Sequence, residues 1–185
     1  MIQMPVASFQ EKRTFQVNKR RVVIRQARGE EDAPELRQRL ARVIRERVYL
    51  DETPDSLPDS QGQKEEIKQI QDAGGMYAVV KVDGIIAGTA QLRKGSRGVS
   101  DHTATFRTWL IPGYRGMGLG KKLMEYTIDW AQANDLEKIN LDVWSNNERA
   151  IRLYRKYGFR LEGNRRRQGI LNGEYVDEIF MSRFL

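Results

Sequence analysis

Three glycines at alternate positions, Gly116, Gly118 and Gly120, follow Arg115 and lead into an amphipathic stretch. Ahead of them, Phe106 to Ile111 is apolar and β-prone, and Pro112 ends the run because proline has no N–H to give to a ladder. A strand, a glycine turn and a helix start together make an anion cradle. Without a Cβ in the way, backbone N–H groups can approach a phosphate. The first helical N–H groups lack an internal partner, and the helix dipole is positive at that end. Arg115, Lys121 and Lys122 add mobile positive charge. The competing reading is a tight strand-to-helix turn that needs glycine only for packing. The spacing excludes two other phosphate loops. No Gly-Lys-Ser/Thr closes it, and the last three-residue step of G-x-G-x-x-G is missing.

Arg115-Gly116-Met117-Gly118-Leu119-Gly120 reads R-x-x-G-x-G and resembles the acetyl-CoA pyrophosphate loop of the GNAT superfamily of N-acetyltransferases. Downstream, Asn147 to Phe159 resembles that superfamily's N-x-x-A-x-x-L-Y-x-x-x-G-F segment. The likeness covers residues 21–185 in organisation and 105–162 in detail. It implies acetyl-CoA as cosubstrate and no metal. It also implies cofactor contacts at Thr108, Trp109, Leu110, Arg115, Gly116, Met117, Gly118, Leu119, Gly120, Lys121 and Asn147. Asn147 resembles the side chain that ties the later helix to the cofactor or to a neighbouring strand. Its residue type also suits a helix N-cap.

Acetyl transfer from a thioester needs a neutral amine, a polarised carbonyl and a proton for the leaving thiolate. By the resemblance, Tyr154 stands near the sulfur as the acid, and a phenol can donate while neutral at pH 7. As a residue, Tyr154 also shares a helical stripe with Ala150 and Tyr157, so a core aromatic is the alternative. Asp142 is the candidate base. Ile139, Leu141 and Val143 alternate on one strand face, leaving Asn140, Asp142 and Trp144 on the other. In the branch that acetylates ribosomal-protein N-termini, a glutamate stands five residues before the motif asparagine, the place Asp142 holds here. The alternative is a structural carboxylate bonded to an arginine. Relatives that carry the base on the earlier strand have it where Thr105 stands, and threonine cannot be a base. His102, at that strand's start, reads as a surface residue.

Composition narrows the field. With no cysteine, thiol catalysis and disulfides are excluded, and a single histidine makes a protein-ligated zinc improbable. No apolar run nears the roughly 20 residues of a membrane span, and no signal-peptide core is evident, so a soluble cytoplasmic protein is expected. The net charge of +7 is scattered, without interleaved aromatics, which argues for a solvated surface over nucleic-acid binding.

These residues need elements to hold them. The expected architecture is a GNAT-type α/β (α+β) domain. It has a mixed, mostly antiparallel sheet of about six to seven strands, about four helices on both faces, and a V-shaped splay between the two central strands. Residues 1–20 are expected as an extension and 21–185 as one domain. Predicted strands run Val22 to Ala27, Met76 to Val82, Ile85 to Lys94, His102 to Ile111, Lys138 to Trp144, from Phe159, and Glu174 to Phe184, with turns at Asp83-Gly84 and Asn172-Gly173. Predicted helices begin near Ala33, Gln63, Gly118 and Asn147. The acceptor site is expected between Arg47 to Lys64 and Arg165 to Asp177, with Asp51, Glu52, Asp55 and Asp59 facing Arg165 to Arg167. The function expected is transfer of acetyl from acetyl-CoA to a primary amine, such as an amino acid, by direct attack in a ternary complex, in a monomer or homodimer. A protein N-terminal acetyltransferase and a non-catalytic RNA- or ribosome-binding module are the alternatives.

Overall fold

The computed structural model describes residues 9–46, 48, 50, 52–95 and 98–185. Strands β1 (Lys12–Val17) and β2 (Arg20–Gln26) lead to helix α1 (Gly29–Ile44) and, past a single 3-10 turn, to α2 (Ser60–Asp72). Strands β3 (Met76–Val82), β4 (Ile85–Lys94) and β5 (Thr103–Leu110) form a meander, then α3 (Leu119–Ala133), β6 (Lys138–Trp144) and α4 (Glu148–Lys156) follow. The hairpin β7 (Arg160–Leu171) and β8 (Glu174–Phe184) ends the chain. The strands form one 8-stranded sheet in the order β1-β2-β3-β4-β5-β6-β8-β7. Every neighbouring pair is antiparallel except β5 with β6.

The eighth strand, β1, lies within the stretch expected as an extension. Lys12 to Val17 pair with Arg20 to Arg25, and Phe15 and Val17 pack on the core. The turn between them uses Asn18 and Lys19, both at positive φ (50° and 64°), without the glycine that usually marks such a hairpin. Residues 1–8 lie outside the described residues, as do Arg47 and Asp51 of the expected acceptor wall.

Strand alternation divides the interior in two. Met76, Ala78, Val80, Phe106, Ile139, Leu141 and Val143 pack with α3 and α4. Tyr77, Val79, Ile86, Trp109 and Ile111 pack with α1 and α2. Strand β3 is buried on both faces, so its sequence is apolar except at Lys81 and shows no alternation.

A buried ion cluster anchors α1 to the sheet. Arg25 of β2 donates to both oxygens of Asp32, at 2.7 and 3.0 Å, and Lys81 Nζ of β3 lies 3.1 Å from Oδ1. The Arg28 N–H at the helix start donates to Asp32 Oδ2 at 2.8 Å. Burial alone would raise the Asp32 pKa, but Arg25, the Arg28 N–H and Lys81 together hold it below the usual carboxylate range. Its contribution to stability is therefore present above the ordinary carboxylate pKa and is lost as pH falls through the lowered value. Asp32→Asn should lower unfolding stability by about 3 kcal/mol at neutral pH, since buried Arg25 then keeps only Glu31, 3.1 Å away, as a counter-charge among the described residues. Urea unfolding at pH 7 and pH 2 checks this, and the deficit should shrink in acid.

Candidate active site

The geometry of the site begins where two strands part. Strands β5 and β6 pair only through Thr103 with Lys138, Ala104 with Ile139 and Thr105 with Asn140. Beyond that point β5 stays on β4 as far as Leu110, and β6 stays on β8 as far as Trp144. The sheet is thus split at its centre, and a cavity of about 700 Å³ occupies the split. Thr108, Trp109 and Leu110 line it from β5, and Asp142 and Trp144 from β6. Trp109 is mostly buried in the α1–α2 core, and Thr108 Oγ1 donates to the Thr89 carbonyl at 2.7 Å.

On the α3–α4 side the cavity meets the glycine loop. Gly116 and Gly118 sit at φ 87° and 80°, the left-handed region that favours glycine. A Cβ on Gly118 would meet no protein atom, so the space before it is open to a ligand. Gly118 is the N-cap of α3 and offers no side chain to the first-turn N–H groups. Those donors suit a phosphate. Gly120, Leu119 and Lys121 also line the cavity, whereas Met117 instead packs on the core. Asn147 lines it too, and its side chain accepts from the Ala150 N–H at 3.2 Å, so it is the N-cap of α4.

Arg115 is not the mobile charge the sequence suggested. Its guanidinium donates to both oxygens of Glu46, at 3.0 and 2.6 Å, and to the Leu110 carbonyl at 2.9 and 2.8 Å. It clasps the end of β5 to the end of α1. The positive charge on the open side comes from α4, where Arg149, Arg152 and Lys156 line the cavity. Arg149 Nη2 lies 3.8 Å from where a Gly116 Cβ would be. Helical spacing puts 149, 152, 153 and 156 on one face, and Leu153 stands against Gly120. That face was legible as a basic stripe, but nothing local says that it meets the loop.

Tyr154 and Asp142 approach the split from opposite faces of the sheet. The Tyr154 ring packs edge-on to Phe106, centroids 6.2 Å apart, and lies against Phe159 at 5.8 Å. Burial, and then the charge of Asp142, raise its pKa above the ordinary phenol value, so it stays protonated at neutral pH. The ring is packed as a core aromatic, and its hydroxyl keeps the proton that a donor would need. Asp142 lies on the α1–α2 face with Asn140 and Trp144, open to the water of the cavity yet surrounded by its walls. That burial, and then the nearby Glu178, raise its pKa, while Arg107 of β5 works against them.

The expected acceptor residues are arranged differently. Glu52 pairs with Arg107 and not with the hairpin arginines. Asp59 caps α2 by accepting from the Gly62 N–H at 2.7 Å, and Asp55 sits in the exposed 3-10 turn. Arg165 reaches Glu178, and the Arg167 N–H donates to Asp177, so Arg165 to Arg167 lie beyond the cavity lining. Thr105 does line the cavity. His102 is exposed at the turn before β5. No group of histidine and acidic side chains among the described residues could hold a metal, and none of their helices is long and apolar enough to cross a membrane.

Comparisons with known proteins agree with this geometry. A model of the acetyltransferase (GNAT) family matches residues 42–159. The chain is 30% identical over 121 residues to the L-amino acid N-acetyltransferase AaaT of Escherichia coli (strain K12), across 63% of this chain and 73% of that protein. It is 33% identical over 118 residues to the spermidine N(1)-acetyltransferase of the same strain, across 63% of this chain and 62% of that protein. The match therefore spans less than two thirds of the second relative. The structure of yncA from Salmonella typhimurium, solved with acetyl-CoA, superposes with a TM-score of 0.80 at 22% identity, over 89% of this chain and 94% of that one. At that identity the likeness concerns the fold.

A raised pKa has a consequence for stability. The folded state binds a proton at Asp142 more readily than the unfolded chain, so ionising it as pH rises costs stability. Asp142→Asn should leave the protein as stable as the parent or more so at pH 7.5. The gain should vanish as pH falls through the raised value toward the ordinary carboxylate range. Thermal unfolding at pH 7.5 and pH 4 checks this, and a lower midpoint at pH 7.5 would mark Asp142 as a structural bond.

Proposed function

The chain belongs to the GNAT acetyltransferase family, and we propose that it transfers the acetyl group of acetyl-CoA to a primary amine of a small molecule, by direct attack in a ternary complex. The observation that carries this reading is the split between β5 and β6, with a glycine cradle on one face and a carboxylate on the other. Donor and acceptor can thus enter from opposite faces and meet within the sheet. The acetyl-CoA pyrophosphate suits the Gly116–Gly118–Gly120 loop and the start of α3, with Arg149, Arg152, Lys156 and Lys121 as counter-charges. Acetyl-CoA supplies an activated thioester. The inner edge of β5 beyond Thr105 has no strand partner on β6, and apart from the Leu110 carbonyl held by Arg115 its backbone groups suit the donor's amides and carbonyl.

Amines are mostly protonated at neutral pH. Asp142 takes one proton from the incoming ammonium, leaving a neutral nucleophile. The C–N bond then forms as the C–S bond breaks. Tyr154 gives its proton to the departing sulfur and regains one from the nitrogen, which sheds its second proton. Asp142 returns its proton to water. Charge balances, and no covalent enzyme intermediate is needed. The small-molecule acceptor is supported by relatives that act on amino acids and on a polyamine. A panel of amino acids, polyamines and peptides with free N-termini, assayed by release of CoA thiol, tests it. Exclusive turnover of the peptides would overturn the small-molecule reading, and acetyl-CoA binding without any turnover would overturn catalysis.

Two variants and a control examine the glycine loop and the proton donor. Gly118→Ala and Gly113→Ala each put a side chain at a positive φ in open space, at a similar backbone cost of about 1 kcal/mol. Gly118 lines the cavity and Gly113 does not. Acetyl-CoA affinity should fall by on the order of tenfold in Gly118→Ala alone, the size of one lost contact to a charged group. Calorimetric titration reads it. Tyr154→Phe keeps the ring and its packing on Phe106 and Phe159 and removes only the proton. Its kcat should fall by ~10²–10⁴, with little change in KM for acetyl-CoA, because that hydroxyl acts in the transition state.

A further inference from the structure

We propose that Glu178 is a positioning residue for this transfer, acting on Asp142 from the neighbouring strand while Arg165 holds its carboxylate in place. The inference rests on the reading of Asp142 as proton acceptor. The ladder register puts Trp144 opposite Glu178, Asp142 opposite Phe180, and Arg165 opposite Glu178. Directly opposed residues share a face, so Asp142, Trp144, Glu178, Phe180 and Arg165 all stand on the α1–α2 side. Asp142 and Glu178 are then diagonal neighbours, roughly 7–8 Å apart along the sheet. Both line the cavity.

Glu178 is an unusual residue to find there. Its side chain is only 16% exposed, and Arg165, 62% exposed at the rim, reaches it at 3.2 Å. The Arg165 guanidinium also lies over the Phe180 ring, 4.8 Å from its centroid, which fixes its direction. Glu178 caps no helix and receives no backbone N–H among the described residues. The fold therefore does not require its charge, and the cavity is what the charge faces.

The groups around Asp142 come from every neighbouring element. Strand β5 brings Arg107, paired with Glu52, and α4 brings Tyr154. Strand β8 brings Glu178, tethered to Arg165 of β7, and β6 itself adds Asn140 and Trp144. Arg93 of β4 lines the same cavity and is engaged with Glu66 of α2. Of the charges acting on Asp142, Glu178 favours its protonated form and Arg107 its ionised form. A base is most effective when its proton affinity is near that of its working pH, and a second negative charge draws an ammonium to the same place. Glu178 supplies both effects without touching the reacting atoms, and Arg165 moderates them by partly neutralising it.

Carbon-13 NMR of the labelled aspartate carboxyls tests this without any acceptor. The Asp142 signal is assigned by its loss in Asp142→Asn. In Glu178→Gln the Asp142 midpoint should fall by about half a unit to one unit, as expected for removing one like charge at that distance. In Arg165→Ala it should rise, because Glu178 loses its counter-charge. A structural role would move neither midpoint, or both together, and either result overturns the proposal. Acetyl transfer to butylamine, followed from pH 5 to 9, adds the kinetic arm. The acidic limb of kcat/KM should shift with the NMR midpoint in each variant. Midpoints that shift while the limb stays fixed would instead overturn Asp142 as the proton acceptor.

Discussion

The rest of the structure depends on the incomplete pairing of β5 and β6. Three residue pairs join these strands, and then each follows its other neighbour. Backbone N–H and C=O groups along the two inner edges are left without ladder partners, a state that globular interiors avoid. The split is held open because both half-sheets are fully laddered elsewhere. Strand β5 is bonded to β4 along Ala104 to Leu110, and β6 to β8 along its whole length. Closing the gap would require breaking one of those ladders. The cost of the open edges is offset when peptide-like amides of a bound ligand occupy them, so the same feature that weakens the sheet makes it selective for an extended, amide-bearing molecule.

Charge is sorted across that split. Basic side chains of α4 and Lys121 gather on the face with the glycine loop, which suits a polyanion. The other face carries Asp142, Glu52 and Glu178 with Arg107 and Arg93 among them. The Arg115–Glu46 pair also belongs to this arrangement. It ties the last residue of β5 to the end of α1 through the Leu110 carbonyl, fixing the strand whose far edge is unpaired. The arginine of the motif lines the cavity while clasping β5 to α1, and Lys121 and the helix that follows β6 add positive charge there.

Asp142 and Asp32 meet the cost of burial in opposite ways. Both are carboxylates in protein surroundings, and both meet a burial penalty. At Asp32 an arginine, a lysine and a backbone N–H more than compensate, and the cluster locks α1 to β2 and β3. At Asp142 the compensation is deliberately weak, since Arg107 is already engaged by Glu52 and Glu178 adds repulsion. A carboxylate that is too well satisfied cannot take a proton from an amine. The contrast separates the carboxylate proposed to accept a proton from one that holds elements together.

Much of the fold was legible locally. Strands β3, β4, β6 and β8 begin and end where alternation, apolar runs and the Asp83-Gly84 and Asn172-Gly173 turns put them. The Asn147 cap and the glycines before α3 are equally local, because capping, turn chemistry and positive φ act over a few residues. Strand β1 was not legible: its alternation is weak, its turn lacks glycine, and its stability comes from pairing with β2 and packing on the core. Nor could sequence say that Arg115 would find Glu46, a residue 69 positions away, that α4 would lay its basic stripe against the glycine loop, or that Glu178 would share a face with Asp142. Those contacts depend on which strand edges meet. That is decided by the burial of two opposed apolar faces across the whole sheet, so the residue types of the site were readable from the chain while their partners were set only by tertiary structure.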